Sequence, residues 1–129
     1  MTRDARQPEG LAAPGPPYSP LVVAGDLVYT AGQVALDAEG SVVPGGIEEQ
    51  TEQVLHNVER CLAAAGCSLD DVVKVTAFLS DLDAFEGFNR VYARRFAAPY
   101  PARSTVGVRL APGLLVEIEA VARIPRESG

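Results

Sequence analysis

Helical periodicity appears in two stretches of this chain, and that constrains its fold more than any other feature. Ile47, Thr51, Val54, Val58, Leu62 and Ala65 recur at steps of three and four, so one stripe of a helix faces a core, and Gly66 follows as its stop. Phe85, Phe88, Tyr92 and Phe96 repeat the pattern, with Asp81 or Asp83 placed to cap the start and Pro99 and Pro101 to end it. The other apolar runs are short and β-rich. Residues 21–23 and 27–30, joined across Ala24-Gly25-Asp26, read as a hairpin, and residues 37–46 are rich in turn formers. Residues 72–79 form an apolar strand broken by Lys74 and Thr76, and residues 104–110 and 115–123 form two more around Ala111-Pro112-Gly113.

The order is therefore strand, strand, helix, strand, helix, strand, strand. Such a chain is α+β, with both helices able to cover one face of one sheet. No third helix is present to cover the other face, and oligomerisation is the economical cover. At 129 residues the chain fits a single domain. Residues 1–14 are expected to be a flexible Pro-rich segment, ordered only towards Tyr18, and residues 15–125 the domain.

Bulk charge narrows the partners. Eleven basic residues against 17 acidic ones give a net charge of -6, which repels a phosphate backbone, so nucleic acid is not an expected partner. No apolar run approaches the roughly 20 residues of a membrane-spanning helix. The polar N-terminus lacks the apolar stretch of a secretory signal, and the expected location is the cytoplasm. Cys61 and Cys67 flank a helix end and are expected to be free thiols that pack as small apolar groups.

Two strands carry the residues suited to chemistry. In 101–106, Pro-Ala-Arg-Ser-Thr-Val, alternation puts Arg103, Thr105 and Gly107 on one face and Val106, Val108 and Leu110 on the other. A guanidinium at the start of a strand beside small residues suits a two-point grip on a carboxylate, although a surface ion pair is the plainer alternative. In 116–122, Glu117 and Glu119 share the face opposite Val116, Ile118 and Ala120. Either carboxylate is a candidate to orient water, a solvated face being the alternative, and alternation does not choose between them. His56 is the sole histidine, and no ligand set for a metal accompanies it. Asn57 and Asn89 occupy helical positions where exposed polar groups are ordinary, and Phe85, Phe88 and Phe96 read as core. No glycine-bearing turn matches a phosphate-binding pattern.

Taken in order, several short motifs resemble the imine/enamine deaminase family, also called RidA or YjgF/YER057c/UK114. They are Gly15-Pro16-Pro17-Tyr18-Ser19, Ala24-Gly25-Asp26-Leu27-Val28, Ala31-Gly32-Gln33, Asp81-Leu82, Phe88-Asn89, the 101–106 segment and Val116-Glu117-Ile118-Glu119-Ala120. Each is weak alone, but the collinear set covers about residues 15–123.

The resemblance implies a chorismate-mutase-like fold assembled as a barrel-forming homotrimer, with clefts between subunits. It further implies hydrolysis of 2-aminoacrylate- or 2-aminocrotonate-type imines to 2-keto acids and ammonia without metal or cofactor. Arg103 would bind the substrate carboxylate and Glu117 would orient water. Tyr18 would close the pocket, and Ala31, Gly32, Asn89 and Thr105 would line it. The chain departs from the family pattern in three places: the extra Pro17 before Tyr18, Thr105 where many members carry Cys, and Ala31 in place of a frequent Ser. The alternatives attached to such chains are a translation-inhibiting endoribonuclease and a non-catalytic trimer that binds small ligands or acts as a chaperone.

Overall fold

A computed structural model describes residues 3–125, and Met1 and Thr2 of the expected flexible segment lie outside it. The α+β expectation holds. Strands β1 (Asp4–Arg6), β2 (Leu21–Ala24), β3 (Leu27–Thr30) and β4 (Gln33–Val34) precede helix α1 (Ile47–Ala63). Then come β5 (Val72–Leu79), helix α2 (Phe85–Arg95), β6 (Ala102–Gly107) and β7 (Val116–Arg123). The strands form one sheet in the order β1-β2-β3-β7-β5-β6, with β4 also paired to β7. All pairings are antiparallel except β5 with β6.

Both helices lie on one sheet face. Val54, Leu55, Val58, Cys61 and Leu62 of α1 are fully buried, as are Val28, Val75, Ala77, Leu79, Val116, Ile118 and Ala122 of the sheet. The first helix closes through paired bonds, from Gly66 N–H to Ala63 O at 3.1 Å and from Cys67 N–H to Leu62 O at 2.9 Å. Gly66 at φ 75° is what permits that closure, because a side chain is disfavoured there. Asp81 accepts from the Asp83 amide and starts the short turn Leu82–Ala84 that leads into α2. Both cysteines are free and buried. Burial alone pushes the Cys61 thiol up to about 12, so at neutral pH it stays a protonated apolar group.

Four features differ from the sequence reading or go beyond it. Residues 4–6, inside the segment expected to be irregular, pair with β2, and Arg6 bonds Ala64 O at 2.9 Å, which ties this strand to the end of α1. The strand expected over 104–110 runs instead as Ala102–Gly107, because its parallel partner ends where Leu79 meets Gly107. Strands β6 and β7 are not neighbours, since β5 lies between them. Asn57, expected to be exposed, is 3% exposed and donates to Val34 O and Leu36 O at 3.0 and 2.9 Å.

Candidate functional site

The edge of β7 positions the acidic half of the site. β3 and β4 both pair with that edge, Tyr29 opposite Val121 and Gln33 opposite Ile118. Four steps along β3–β4 thus match three along β7, and the extra residue is absorbed at Thr30-Ala31-Gly32. Thr30 Oγ1 accepts the Ala120 amide at 3.0 Å, and the Ala31 amide donates to Pro20 O at 2.8 Å. The corner is therefore hydrogen-bonded although it leaves the ladder. It brings the backbone of Gly32 against Glu117, so closely that a Cβ on Gly32 would lie 2.8 Å from the Glu117 Cδ. Tyr18, 52% exposed, lies two residues before Pro20, whose carbonyl takes the Ala31 amide, and is not among the residues that line the Arg103 cavity.

Glu117 is partly buried beside this corner. Desolvation first, and then the like charge of Glu119, raise its carboxyl above the usual glutamate value. For Glu119, which is exposed, no equivalent enclosure exists. The two carboxylates that alternation left equivalent are thus physically distinct.

The basic half lies elsewhere. Arg103 stands opposite Val75, and Val75 stands opposite Ala120, so Arg103 shares the helix-covered face with the buried residues of β5 and β7. Its guanidinium lies over the rings of Tyr92, Phe88 and Phe85 of α2. Arg103, Asn89, Tyr92, Ala93, Tyr100 and Pro101 line a cavity of about 370 Å³. Thr105 follows two residues along on the same face, its Oγ1 buried without a hydrogen-bond partner among the described residues. Arg103 likewise makes no ion pair among the described residues, whereas Arg90, Arg94 and Arg95 all pair with glutamates of α1. A half-buried guanidinium with its donor fork open can receive a carboxylate.

Glu117, by contrast, stands opposite Phe78 on the other sheet face, with Glu119 opposite Thr76. The structure therefore groups Arg103, Asn89 and Thr105 on one side of the sheet and Glu117, Ala31 and Gly32 around the other, and it brings Tyr18 to neither group. Within one chain the two halves do not meet. Sequence reading missed Tyr92, Tyr100 and Pro101 as cavity walls. The tyrosines follow from their place beside Asn89 and Arg103, but a core stripe and a ring lining a cavity have the same periodicity.

His56 is exposed on α1, accepts from Arg60 Nε at 3.4 Å, and lines a separate cleft with Glu52 and Arg95. Among the described residues no three His, Cys, Asp or Glu side chains gather as a metal site. No helix among them is long and apolar enough to cross a membrane.

Comparison with known proteins identifies the family and the fold. The family model described as Endoribonuclease L-PSP matches residues 10–124. A RutC family protein of Pyrococcus horikoshii is 47% identical over 124 residues, covering 95% of this chain and 94% of its own. The 2-iminobutanoate/2-iminopropanoate deaminase of Capra hircus is 43% identical over 108 residues, covering 82% of this chain and 79% of its own. Among solved structures, E. coli TdcF with bound serine superposes with a TM-score of 0.85 at 33% identity, covering 92% of this chain and 97% of that one.

Proposed function

Since the chain belongs to the Endoribonuclease L-PSP family, the RidA/YjgF group, we propose that it hydrolyses small imines and enamines derived from amino acids to 2-keto acids and ammonia. The observation that carries this reading is Arg103: half-buried, seated on aromatic rings, free of any ion pair among the described residues, and facing a cavity sized for a small molecule. The relatives named 2-iminobutanoate/2-iminopropanoate deaminase, and the serine bound to TdcF, supply the substrate class: a short carbon chain with a carboxylate beside a nitrogen-bearing carbon.

In this reading the complete site forms between subunits of a homotrimer. The sheet face away from the helices carries Tyr29 and Val106 at 46% and 42% exposure, and a second chain set against it covers them. The Arg103 half of one subunit then faces the Glu117 half of its neighbour. Arg103 holds the substrate carboxylate through two N–H donors. Glu117 accepts a hydrogen bond from a water molecule near the C=N carbon. The water oxygen bonds to that carbon, the π electrons move to nitrogen, and Glu117 takes the proton. Returned to nitrogen, that proton gives a carbinolamine; Glu117 then takes the hydroxyl proton and passes it to the amine, so the C–N bond breaks and ammonia leaves as the C=O bond closes. A carboxylate with raised proton affinity suits this exchange near neutral pH. Ala31, Gly32, Asn89 and Thr105 wall the cleft, and Tyr18 closes it.

Arg103→Ala tests the reading. Keto-acid formation from 2-aminoacrylate generated in place by a pyridoxal-phosphate-dependent dehydratase falls to the uncatalysed rate, and parent-like turnover refutes the clamp. The family's descriptive name favours a second reading, RNA cleavage. A net charge of -6 and a lone, exposed His56 oppose it. Salt-sensitive cleavage of RNA by highly purified protein would restore it.

A further inference from the structure

The aromatic stripe of α2 has a second task besides filling the core. The guanidinium carbon of Arg103 lies 4.6 Å from the ring centroid of Tyr92, against 5.2 Å for Phe88 and 5.7 Å for Phe85. Tyr92 is itself held on both sides: it stacks on Phe96 at 4.5 Å and 29°, and meets Phe88 at 5.6 Å and 44°. At 5% exposure it cannot swing away, and it walls the same cavity as Arg103. The three arginines of this helix, Arg90, Arg94 and Arg95, are oriented by glutamates. Arg103 has rings beneath it instead. An ion pair would fix the guanidinium but fill the fork that a ligand carboxylate needs. Stacking fixes the plane and leaves the N–H edges open.

We propose that Tyr92 is the positioning residue of the carboxylate site: its ring sets the plane and depth of the Arg103 guanidinium, so that the donor fork meets a small monocarboxylate already aligned. The inference rests on the reading of Arg103 as a carboxylate clamp, but it is separable from it. The gain comes from order present before binding, since an unsupported arginine must lose side-chain freedom when it closes on a ligand. Removing the ring therefore weakens binding while leaving the water-activating half untouched.

The test is binding of 2-oxobutanoate to the full-length assembled protein, by calorimetry, for the parent, Arg103→Ala, Tyr92→Leu and Tyr92→Phe. Loss of one cation–π platform predicts a dissociation constant raised roughly 5- to 30-fold in Tyr92→Leu. Tyr92→Phe, which keeps the ring, restores binding to near the parent value. In imine turnover the Leu variant changes KM more than kcat. A proton spectrum gives a second readout: the Arg103 side-chain protons, shielded by the ring below them, lie upfield in the parent and move back in Tyr92→Leu. Should Tyr92→Leu fail to fold, an Arg103 signal without that shielding in the parent overturns the proposal directly. Parent-like binding by Tyr92→Leu, with Arg103→Ala unable to bind, overturns the role of Tyr92 and spares the clamp. Parent-like binding by Arg103→Ala instead brings down the clamp and the inference that rests on it.

Discussion

Gly32→Ala isolates the proposed water-orienting half of the site from the proposed carboxylate-binding half. Gly32 is not among the glycines with positive φ, so alanine meets no backbone strain there; what glycine supplies is clearance. A Cβ would fall 2.8 Å from Cδ and 3.1 Å from Cγ of Glu117, and closer still to a carboxylate oxygen. The movable partner is the end of the Glu117 side chain, whose Cδ must retreat by about 0.6 Å to reach an ordinary 3.4 Å contact. Pushing that side chain off its rotamer costs about 0.5–1.5 kcal/mol. For a chain of this size that lowers Tm by about 2–6 °C. Chemistry suffers more, because ångström-scale misplacement of a reacting group costs up to about 100-fold. The expected result is kcat reduced roughly 10- to 100-fold with a smaller change in 2-oxobutanoate binding, because the Arg103 grip on the carboxylate is left intact. The assay follows keto acid from imine generated in place, with calorimetric binding in parallel. Parent-like kcat in a folded Gly32→Ala protein refutes the assignment of Glu117 as the water-orienting group.

Four further outcomes follow from the same geometry. Glu117 has a raised carboxyl value in the folded state, so the fold binds its proton more tightly than the unfolded chain does and ionisation destabilises it. Glu117→Gln should therefore raise Tm at pH 8, and the advantage should shrink as pH falls from the raised folded-state value to the ordinary glutamate value; thermal melts across pH check this. Parent kcat/KM should decline on the acid side as Glu117 protonates, while the Gln variant loses that limb and runs about 100- to 10,000-fold slower. Val106→Asp places a charge on the open sheet face, and light scattering should report a smaller particle, with imine turnover lost alongside. Tyr92→Phe deletes a phenol oxygen that is buried without a partner among the described residues, so stability should hold or rise by up to about 1 kcal/mol. A clear loss would mean that the assembled protein gives that hydroxyl a partner.

Local periodicity made much of this legible. The stripes of α1 and α2 follow from three- and four-residue steps, and the faces of β6 and β7 from alternation, so the sharing of one face by Arg103 and Thr105 was readable from sequence. What escaped depends on partners distant in the chain. Asp4-Ala5-Arg6 contains no large apolar residue and is a strand because the edge of β2 pairs with it and Ala64 O accepts from Arg6. Asn57 is buried because two carbonyls at the β4 corner need a donor, a demand that nothing near residue 57 announces. The difference between Glu117 and Glu119 likewise arises from Gly32, 85 positions earlier in the chain.

The division of Arg103 and Glu117 between opposite sheet faces has a chemical reason. Where arginine and glutamate come within reach in this fold they pair, as Arg95 of α2 does with Glu52 of α1 at 2.6 Å and also with Glu59. A guanidinium bound to Glu117 would neutralise both: the fork would be filled and the carboxylate would lose its affinity for a proton. Keeping them apart within the chain prevents that pairing during folding, when each chain is alone. In the proposed trimer they approach across an interface, where a substrate carboxylate takes the fork before Glu117 can. Activity then depends on assembly, and a mixed trimer built from Arg103→Ala and Glu117→Gln chains provides the decisive case. Each variant is inactive by itself, yet clefts pairing a parent-type Arg103 with a parent-type Glu117 from different chains recover turnover. If the two groups acted within one chain, mixing would recover nothing.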